Sequence, residues 1–492
     1  MKILMVAAEG MPFVKTGGLA DVIGALPKAL QALGVDVRVM MPKHRTVKEQ
    51  YEDALETLAT TTLQLGWRQK YLGVQTLRKD GVEYYFIDNE DYFMGPVYRG
   101  GDAENEQYLY FCKAVCEALA LIDFTPDVLH LNDWHTGMVP MLLKTQYGGR
   151  QNGGRQDAAP TRNSYEARTL FTIHNIQFQG KMDFRTMKDM LSIPDYYYTP
   201  EYVEADGCAN MMKAALVFSD RISTVSPNYA HEIMNAYFGL GMEGILSARR
   251  QDVSGILNGL DEVAFDPAHD PALAAPYDAG DLRGKLVCKR DLCRQFGLGG
   301  AGGGQSPHAP IVAMVSRLTA QKGFDLVRYA LEELLTTEDV RFVLLGSGDR
   351  PYVDFFNYIA GKYPGRAGVY IGYDEALAHR VYAGADFFLM PSQFEPCGLA
   401  QMIAQRYGTL PIVRETGGLV DTVAPYNRFT GEGTGFGFAT FNAGDMLAAV
   451  RLALSVYRDK PAMRKLRRNA MALDNSFARS AEQYLALFRA MR

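Results

Sequence analysis

Short apolar runs that end abruptly in polar or glycine-rich residues, each followed by helical periodicity, recur along this chain and constrain it to an α/β fold. Lys2 to Ala8 is the first such run. It leads into a Gly/Pro-rich stretch, after which the segment from Asp21 to Leu33 spaces Val22, Leu26, Ala29, Leu30 and Leu33 along one face of a helix. Val35 to Met41 then reads as a second buried strand, so the chain opens with a βαβ unit whose first loop is rich in glycine. Three further runs fit the same parallel, doubly wound sheet: Val128 to Leu131 before Asn132-Asp133-Trp134, Thr169 to Ile173 before His174-Asn175, and Arg221 to Val225 before Ser226-Pro227.

The series restarts after Leu257-Asn258-Gly259. Pro310 to Val315, Arg341 to Leu345, Val369 to Gly372, Phe387 to Met390 and Leu410 to Val413 are short strands alternating with helical segments such as Leu326 to Leu335. At ~100–200 residues per domain, 492 residues hold two or three domains, and the break near residue 260 divides the chain into two Rossmann-like halves. Residues 1–259 form the first domain, 260–475 the second, and 476–492 end the chain in an amphipathic helix carrying Tyr484, Leu485, Leu487 and Phe488. Gly148 to Asn163 and Gly299 to Ala309 lack apolar periodicity and read as surface loops.

Composition narrows the function classes. The net charge is −5 with signs interspersed, which gives no bulk attraction for nucleic acid or an anionic membrane. No stretch reaches the ~18 apolar residues of a membrane span. The six cysteines (Cys112, Cys116, Cys208, Cys288, Cys293 and Cys397) match neither a CxxC pair nor a dense disulfide framework, and read as reduced thiols of a cytoplasmic protein. The N-terminal apolar run is broken by Glu9 and Pro12 and makes a first strand rather than a signal peptide.

The loops at the strand ends carry the chemistry. Lys15-Thr16-Gly17-Gly18-Leu19-Ala20-Asp21 is either a glycine turn with Asp21 as the helix cap or a phosphate-binding loop with Lys15 as its cation. It lacks the GxGxxG and GKS/T spacings of dinucleotide and P-loop sites. In the second half, Arg317 and Lys322 are two cations in one strand-to-helix loop, suited to a diphosphate whose charge grows as it leaves. Gly346 begins a Gly-Ser-Gly-Asp loop that is either a turn or a backbone-amide contact. Glu395, held in Phe394-Glu395-Pro396-Cys397-Gly398-Leu399, puts a carboxylate at a strand end, and Gly417-Gly418-Leu419-Val420-Asp421 repeats the arrangement of residues 17 to 21. His174 and Asn175 are a polar pair after a buried strand.

Other chemistries are disfavoured. His130, Asp133 and His135 cluster in sequence without the spacing of a zinc site, and no D-x-D occurs to hold a divalent cation on a diphosphate. No G-x-S-x-G elbow exists, and Cys397 has no base near it in sequence.

Taken in order, KTGGLADV (15–22), NDWH (132–135), TIHN (172–175), VSPNYA (225–230), GMEGIL (241–246), ILNG (256–259), SRLTAQKG (316–323), LGSGD (345–349), EPCGL (395–399) and TGGLVDT (416–422) resemble the bacterial glycogen synthase and plant starch synthase family of the ADP-glucose type. The resemblance implies the GT-B fold, two Rossmann-like domains around a deep cleft, with the last helix returning to the first domain. It implies transfer of glucose from ADP-glucose to the non-reducing end of an α-1,4-glucan, with retention of configuration and without metal or cofactor. By motif, Arg317 and Lys322 would hold the distal phosphate, with Lys15 and the amides near Gly17 and Gly18 reaching the same diphosphate. Glu395 would contact the glucose, with Cys397, Gly398 and Leu399 nearby, and His174 would support the sugar near the reacting bond. Asp21, Asp133, Asn175 and Asn258 would line the donor or acceptor site, and Tyr373 would stack on the adenine. Gly346, Gly417 and Gly418 complete the expected binding set.

Some positions depart from the family pattern. Ala400 replaces a hydroxyl residue, and Asp474-Asn475-Ser476-Phe477 replaces an aromatic and a tryptophan. Ile403 stands where related transferases carry the second Glu of E-x7-E, as expected of the ADP-glucose branch. Three alternatives stay open from sequence: a transferase using UDP-glucose or another acceptor, a catalytically inactive glucan-binding homologue, and a pyridoxal-phosphate phosphorylase.

Overall fold

A computed structural model describes residues 1–147, 166–299 and 309–492. The expected surface loops at 148–163 and, apart from their ends, 299–309 lie outside the described residues. The chain divides into two compact units, Met1–Gly259 with Phe477–Arg492, and Leu260–Ser476.

The first unit is built on strands β1 (Lys2–Val6), β2 (Asp36–Pro42), β3 (Glu56–Leu65), β4 (Arg68–Lys79), β5 (Val82–Asp88), β6 (Val128–Asn132), β7 (Arg168–Ile173), β8 (Lys181–Met182), β9 (Glu204–Ala205), β10 (Cys208–Asn210), β11 (Arg221–Thr224) and β12 (Val253–Gly255). Nine of the described strands make one sheet in the order β12-β11-β7-β6-β1-β2-β5-β4-β3, and β8-β10-β9 make a small second one. Strand β1 starts the winding: the chain goes to β2 on one side and later returns as β6 on the other, both parallel to β1. That reversal is a topological switch point, the place where open α/β sheets put their ligands.

The sheet is not parallel throughout. β3 pairs antiparallel with β4, and β4 antiparallel with β5, a ribbon absent from the parallel sheet that the sequence predicts. The reason is physical: β3 is solvent-exposed along most of its length, so its sequence ETLATTTLQL has no buried face to mark.

The first helix runs Gly18–Ala32, three residues earlier than the periodicity suggested, because Gly17 rather than Asp21 occupies the cap. Its buried stripe is Leu19, Val22, Ile23, Leu26 and Leu30, while Leu33 falls outside the helix and is exposed. The C-terminal helix Phe477–Ala490 covers this stripe with Phe477, Ala481, Tyr484, Leu485 and Phe488. Each such large side chain contributes about 1.5–3 kcal/mol when fully buried, which anchors the chain end in the first unit's core.

The second unit is a six-stranded sheet of β13 (Ile311–Val315), β14 (Arg341–Gly346), β15 (Ala367–Ile371), β16 (Phe387–Met390), β17 (Leu410–Arg414) and β18 (Phe436–Phe438). The order is β15-β14-β13-β16-β17-β18, every neighbouring pair parallel, and the switch point lies between β13 and β16. Only β18, three residues long, had no counterpart in the sequence reading. No helix among the described residues is long and apolar enough to cross a membrane.

Candidate active site

Every expected site residue lies at or beyond the C-terminal end of a parallel strand. In the first unit Lys15, Gly17, Gly18 and Asp21 follow β1, Asp133 follows β6, and His174 and Asn175 follow β7, three strands adjacent in the sheet. Asn258 stands apart, beyond the edge strand β12, buried and with no partner for its Oδ1 among the described residues. In the second unit Arg317 and Lys322 follow β13, Gly346 ends β14, and Tyr373 follows β15. Glu395, Cys397, Gly398 and Leu399 follow β16, and Gly417 and Gly418 follow β17.

The switch point of the first unit holds two buried carboxylates. Glu9 accepts from the backbone N–H and the hydroxyl of Thr16, at 2.5 and 2.6 Å, which folds the KTGG loop back over the end of β1. Burial raises its pKa. Asp133 adopts a strained backbone of positive φ and extended ψ (62°, 174°) and accepts from the Trp134 N–H at 3.0 Å and from the Asn175 N–H. Burial outweighs these bonds and raises the Asp133 pKa to about 8. Lys15 Nζ lies 2.7 Å from Asp21 Oδ1, so the loop's cation and the acid one helical turn on are paired across it.

His174 is kept neutral by burial, which lowers its pKa to about 3, and its Nε2 is 3.0 Å from Asn132 Oδ1. His130 and His135, which cluster with Asp133 in sequence, point elsewhere. His130 Nε2 bonds Thr172 Oγ1 at 2.7 Å against the rings of Tyr484 and Phe488, and His135 packs among Tyr98, Tyr108 and Trp134. Beside them a pocket of about 600 Å³ is lined by Trp134, Gln177, Phe178, Gln179, Lys181 and Leu240 with neighbouring residues. The half-exposed Phe178 ring beside amide and charged groups suits a polyhydroxylated ring.

At the second unit's switch point Lys322 Nζ meets Glu395 Oε2 at 2.6 Å, and Ser392 Oγ donates to the same oxygen at 3.0 Å. Arg317, five residues before Lys322, is exposed. Its loop is stitched to the loop after β14: Leu318 N–H donates to Ser347 O and Asp349 N–H to Leu318 O, both at 2.8 Å. Gly346 permits this, since a Cβ there would sit 2.0 Å from Ser316 O. The second Gly-Gly loop does something other than present free amides. Gly418 N–H donates to Glu395 O at 3.0 Å, and a Cβ on Gly417 (φ 48°) would sit 1.9 Å from that oxygen. The loop therefore fixes the Glu395 backbone. Cys397 is buried and Tyr373 is 70% exposed.

Glu9, Asn132, Tyr98 and Ser392 were not singled out from sequence. Glu9 and Asn132 both sit at strand ends, and applying the strand-end rule to every polar residue there finds them. Tyr98 and Ser392 join only through tertiary contact.

A starch synthase catalytic domain model matches residues 2–248, and a glycosyl transferases group 1 model matches residues 303–472. The chain is 50% identical over 484 residues to a glycogen synthase of Geobacillus thermodenitrificans, covering 98% of this chain and 96% of that one. It is 44% identical to a glycogen synthase of Clostridioides difficile, covering 99% of both. Among solved structures it is similar to the catalytic domain of starch synthase IV from Arabidopsis thaliana bound to ADP and acarbose, with TM-score 0.87, 31% identity and 99% of each chain covered. A sucrose-phosphate synthase of Thermosynechococcus elongatus shares the fold, with TM-score 0.60 and 17% identity.

Proposed function

The chain belongs to the glycogen synthase and starch synthase family of GT-B glycosyltransferases, and from that premise we propose that it transfers glucose from ADP-glucose to the non-reducing end of an α-1,4-glucan, retaining the α configuration. The observation that carries this reading is the second unit's switch point: a lysine, a buried carboxylate and an exposed arginine are gathered there, on a chain half identical to glycogen synthases over nearly its whole length.

In this reading Arg317 and Lys322 hold the donor's distal phosphate, and the positive charge there stabilises ADP as it departs. Lys15 and the backbone near Gly17 and Gly18 bind phosphate, with Lys15 exchanging Asp21 for it. Glu395 binds hydroxyls of the transferred glucose, and Gly417 and Gly418 fix its backbone. His174 supports the sugar beside the reacting bond, while Asp133, Asn175 and Asn258 line the acceptor or donor site. Tyr373 stacks on the adenine, and the pocket beside Trp134 takes the glucan.

The acceptor 4-OH attacks from the face that ADP leaves, and a phosphate oxygen of the leaving group takes its proton. No carboxylate is assigned as a covalent nucleophile. Metal and other cofactors have no part in the reaction.

The test is ADP release on glycogen, with ADP-glucose and UDP-glucose as competing donors, with and without EDTA. Preference for ADP-glucose and indifference to EDTA are expected. Preference for the UDP donor overturns the donor assignment, and no release with either donor favours a glucan-binding homologue.

A further inference from the structure

We infer that Asn132 is a positioning residue that holds the His174 ring in its Nε2–H form and so presents Nδ1 as a hydrogen-bond acceptor to the reacting sugar. The inference rests on the reading above only in assigning His174 to the sugar; the tautomer itself follows from geometry.

Asn132 is the last residue of β6 and is fully buried. Its Nδ2 lies 3.1 Å from Val6 O at the end of β1 and 3.1 Å from His130 O on its own strand. Both partners are carbonyl oxygens, which only accept, so the amide group must turn its NH2 toward them. Its Oδ1 then faces the other way, 3.0 Å from His174 Nε2. An amide oxygen also only accepts, so the ring nitrogen opposite it must carry the proton. The other tautomer would set two lone pairs against each other inside a buried site.

A neutral imidazole has one N–H, and fixing it at Nε2 leaves a lone pair on Nδ1. Burial keeps the ring neutral, as it does the neighbouring His130 and His135. The order of dependence runs from β1 to Asn132 to His174: the sheet register that puts Val6 O beside Asn132 orients the amide, and the amide orients the proton. A hydroxyl of the sugar can therefore donate to His174 Nδ1, and that acceptor would be lost if the proton moved to Nδ1 for want of the Asn132 oxygen.

The experiment is long-range ¹H–¹⁵N spectroscopy of the full chain labelled at its eight histidines, with the His174 signals assigned by their loss in His174→Gln. The wild type is expected to show one ring form, protonated at Nε2. Asn132→Leu removes the acceptor and is expected to yield a population protonated at Nδ1. It should also lower kcat by about 10- to 100-fold while KM for ADP-glucose stays within about threefold. A wild-type ring protonated at Nδ1 overturns the inference, as does an Asn132→Leu protein with the wild-type tautomer and kcat. If Asn132→Leu does not fold, the wild-type spectrum decides, and protonation of the wild-type ring at Nδ1 is fatal. Absence of glucosyl transfer by the wild type would instead sink the functional reading, since the spectrum reads the tautomer without turnover.

Discussion

Lys322 and Glu395 meet at 2.6 Å across the switch point of the second unit, one from the loop after β13 and the other from the loop after β16, seventy-three residues apart in sequence. Glu395 is buried and Lys322 largely so. Replacing Lys322 by Met leaves that carboxylate with Ser392 as its remaining side-chain donor. Removing one partner of a buried pair costs about 3–5 kcal/mol, and the residual access of water to Lys322 reduces this to roughly 2–3 kcal/mol. Denaturant melts of K322M and Glu395→Gln separate the terms: the neutral amide should be the less destabilising change, and equal midpoints for wild type and K322M would count against the pair.

Arg317 provides the contrast. Its side chain is exposed, so Arg317→Ala should shift stability by no more than about 0.5 kcal/mol. Turnover should fall by about 10²-fold or more if the guanidinium stabilises departing charge, with the acceptor KM little changed. Steady-state kinetics with glycogen decide it, and near-normal kcat would remove Arg317 from the diphosphate site.

The first unit should be acid-labile. Burial depresses His44 to about 4 and His130, His135 and His174 to about 3, from an ordinary value of 6.5. Their stability contribution is complete above the unfolded value and is lost as pH falls below it toward the folded values, because the unfolded chain then binds protons the folded one refuses. Each proton changes stability by about 1.4 kcal/mol per pH unit, so the slope below pH 6 should correspond to several protons. Melts from pH 7 to 4.5 test this, and a flat profile would mean that these rings are not kept neutral.

Asp133 has the opposite sign. With its folded pKa raised to about 8, its contribution is complete below the unfolded value near 4 and is lost as pH rises through 8. Between pH 7 and 9 the wild type should therefore lose stability that Asp133→Asn retains, since the amide still accepts from the Trp134 N–H. Parallel pH profiles of the two proteins would argue against a buried, protonated Asp133.

Gly323 is the hinge on which Lys322 turns toward Glu395. It sits at φ 76° between the short turn Ala320–Lys322 and the helix Phe324–Thr337, and a Cβ there would meet Pro391 O at 2.0 Å. Gly323→Ala should cost about 2–4 kcal/mol and lower kcat along with it, because the loop can accept the methyl only by moving Lys322. Wild-type stability and kinetics in G323A would show that the backbone relaxes without disturbing the pair.

Much of this architecture was legible in the chain itself. Parallel strands buried on both faces must be written as short apolar runs, so β1, β2, β6, β7, β11, β13, β14, β15, β16 and β17 could be placed within a few residues. Ligand loops must begin where those runs stop, which brought Lys15, Asp133, His174, Arg317, Lys322 and Glu395 into view. The exposed β3 carries no such mark, and neither does the three-residue β18. What only the tertiary structure decided was which groups meet and in what state of charge. Lys322 faces Glu395, Gly418 spends its amide on the Glu395 carbonyl, Asn132 turns its oxygen to His174, and burial holds Asp133 protonated. Each depends on partners remote in sequence or on exclusion of water, and neither distance through space nor dielectric environment is written in the order of residues.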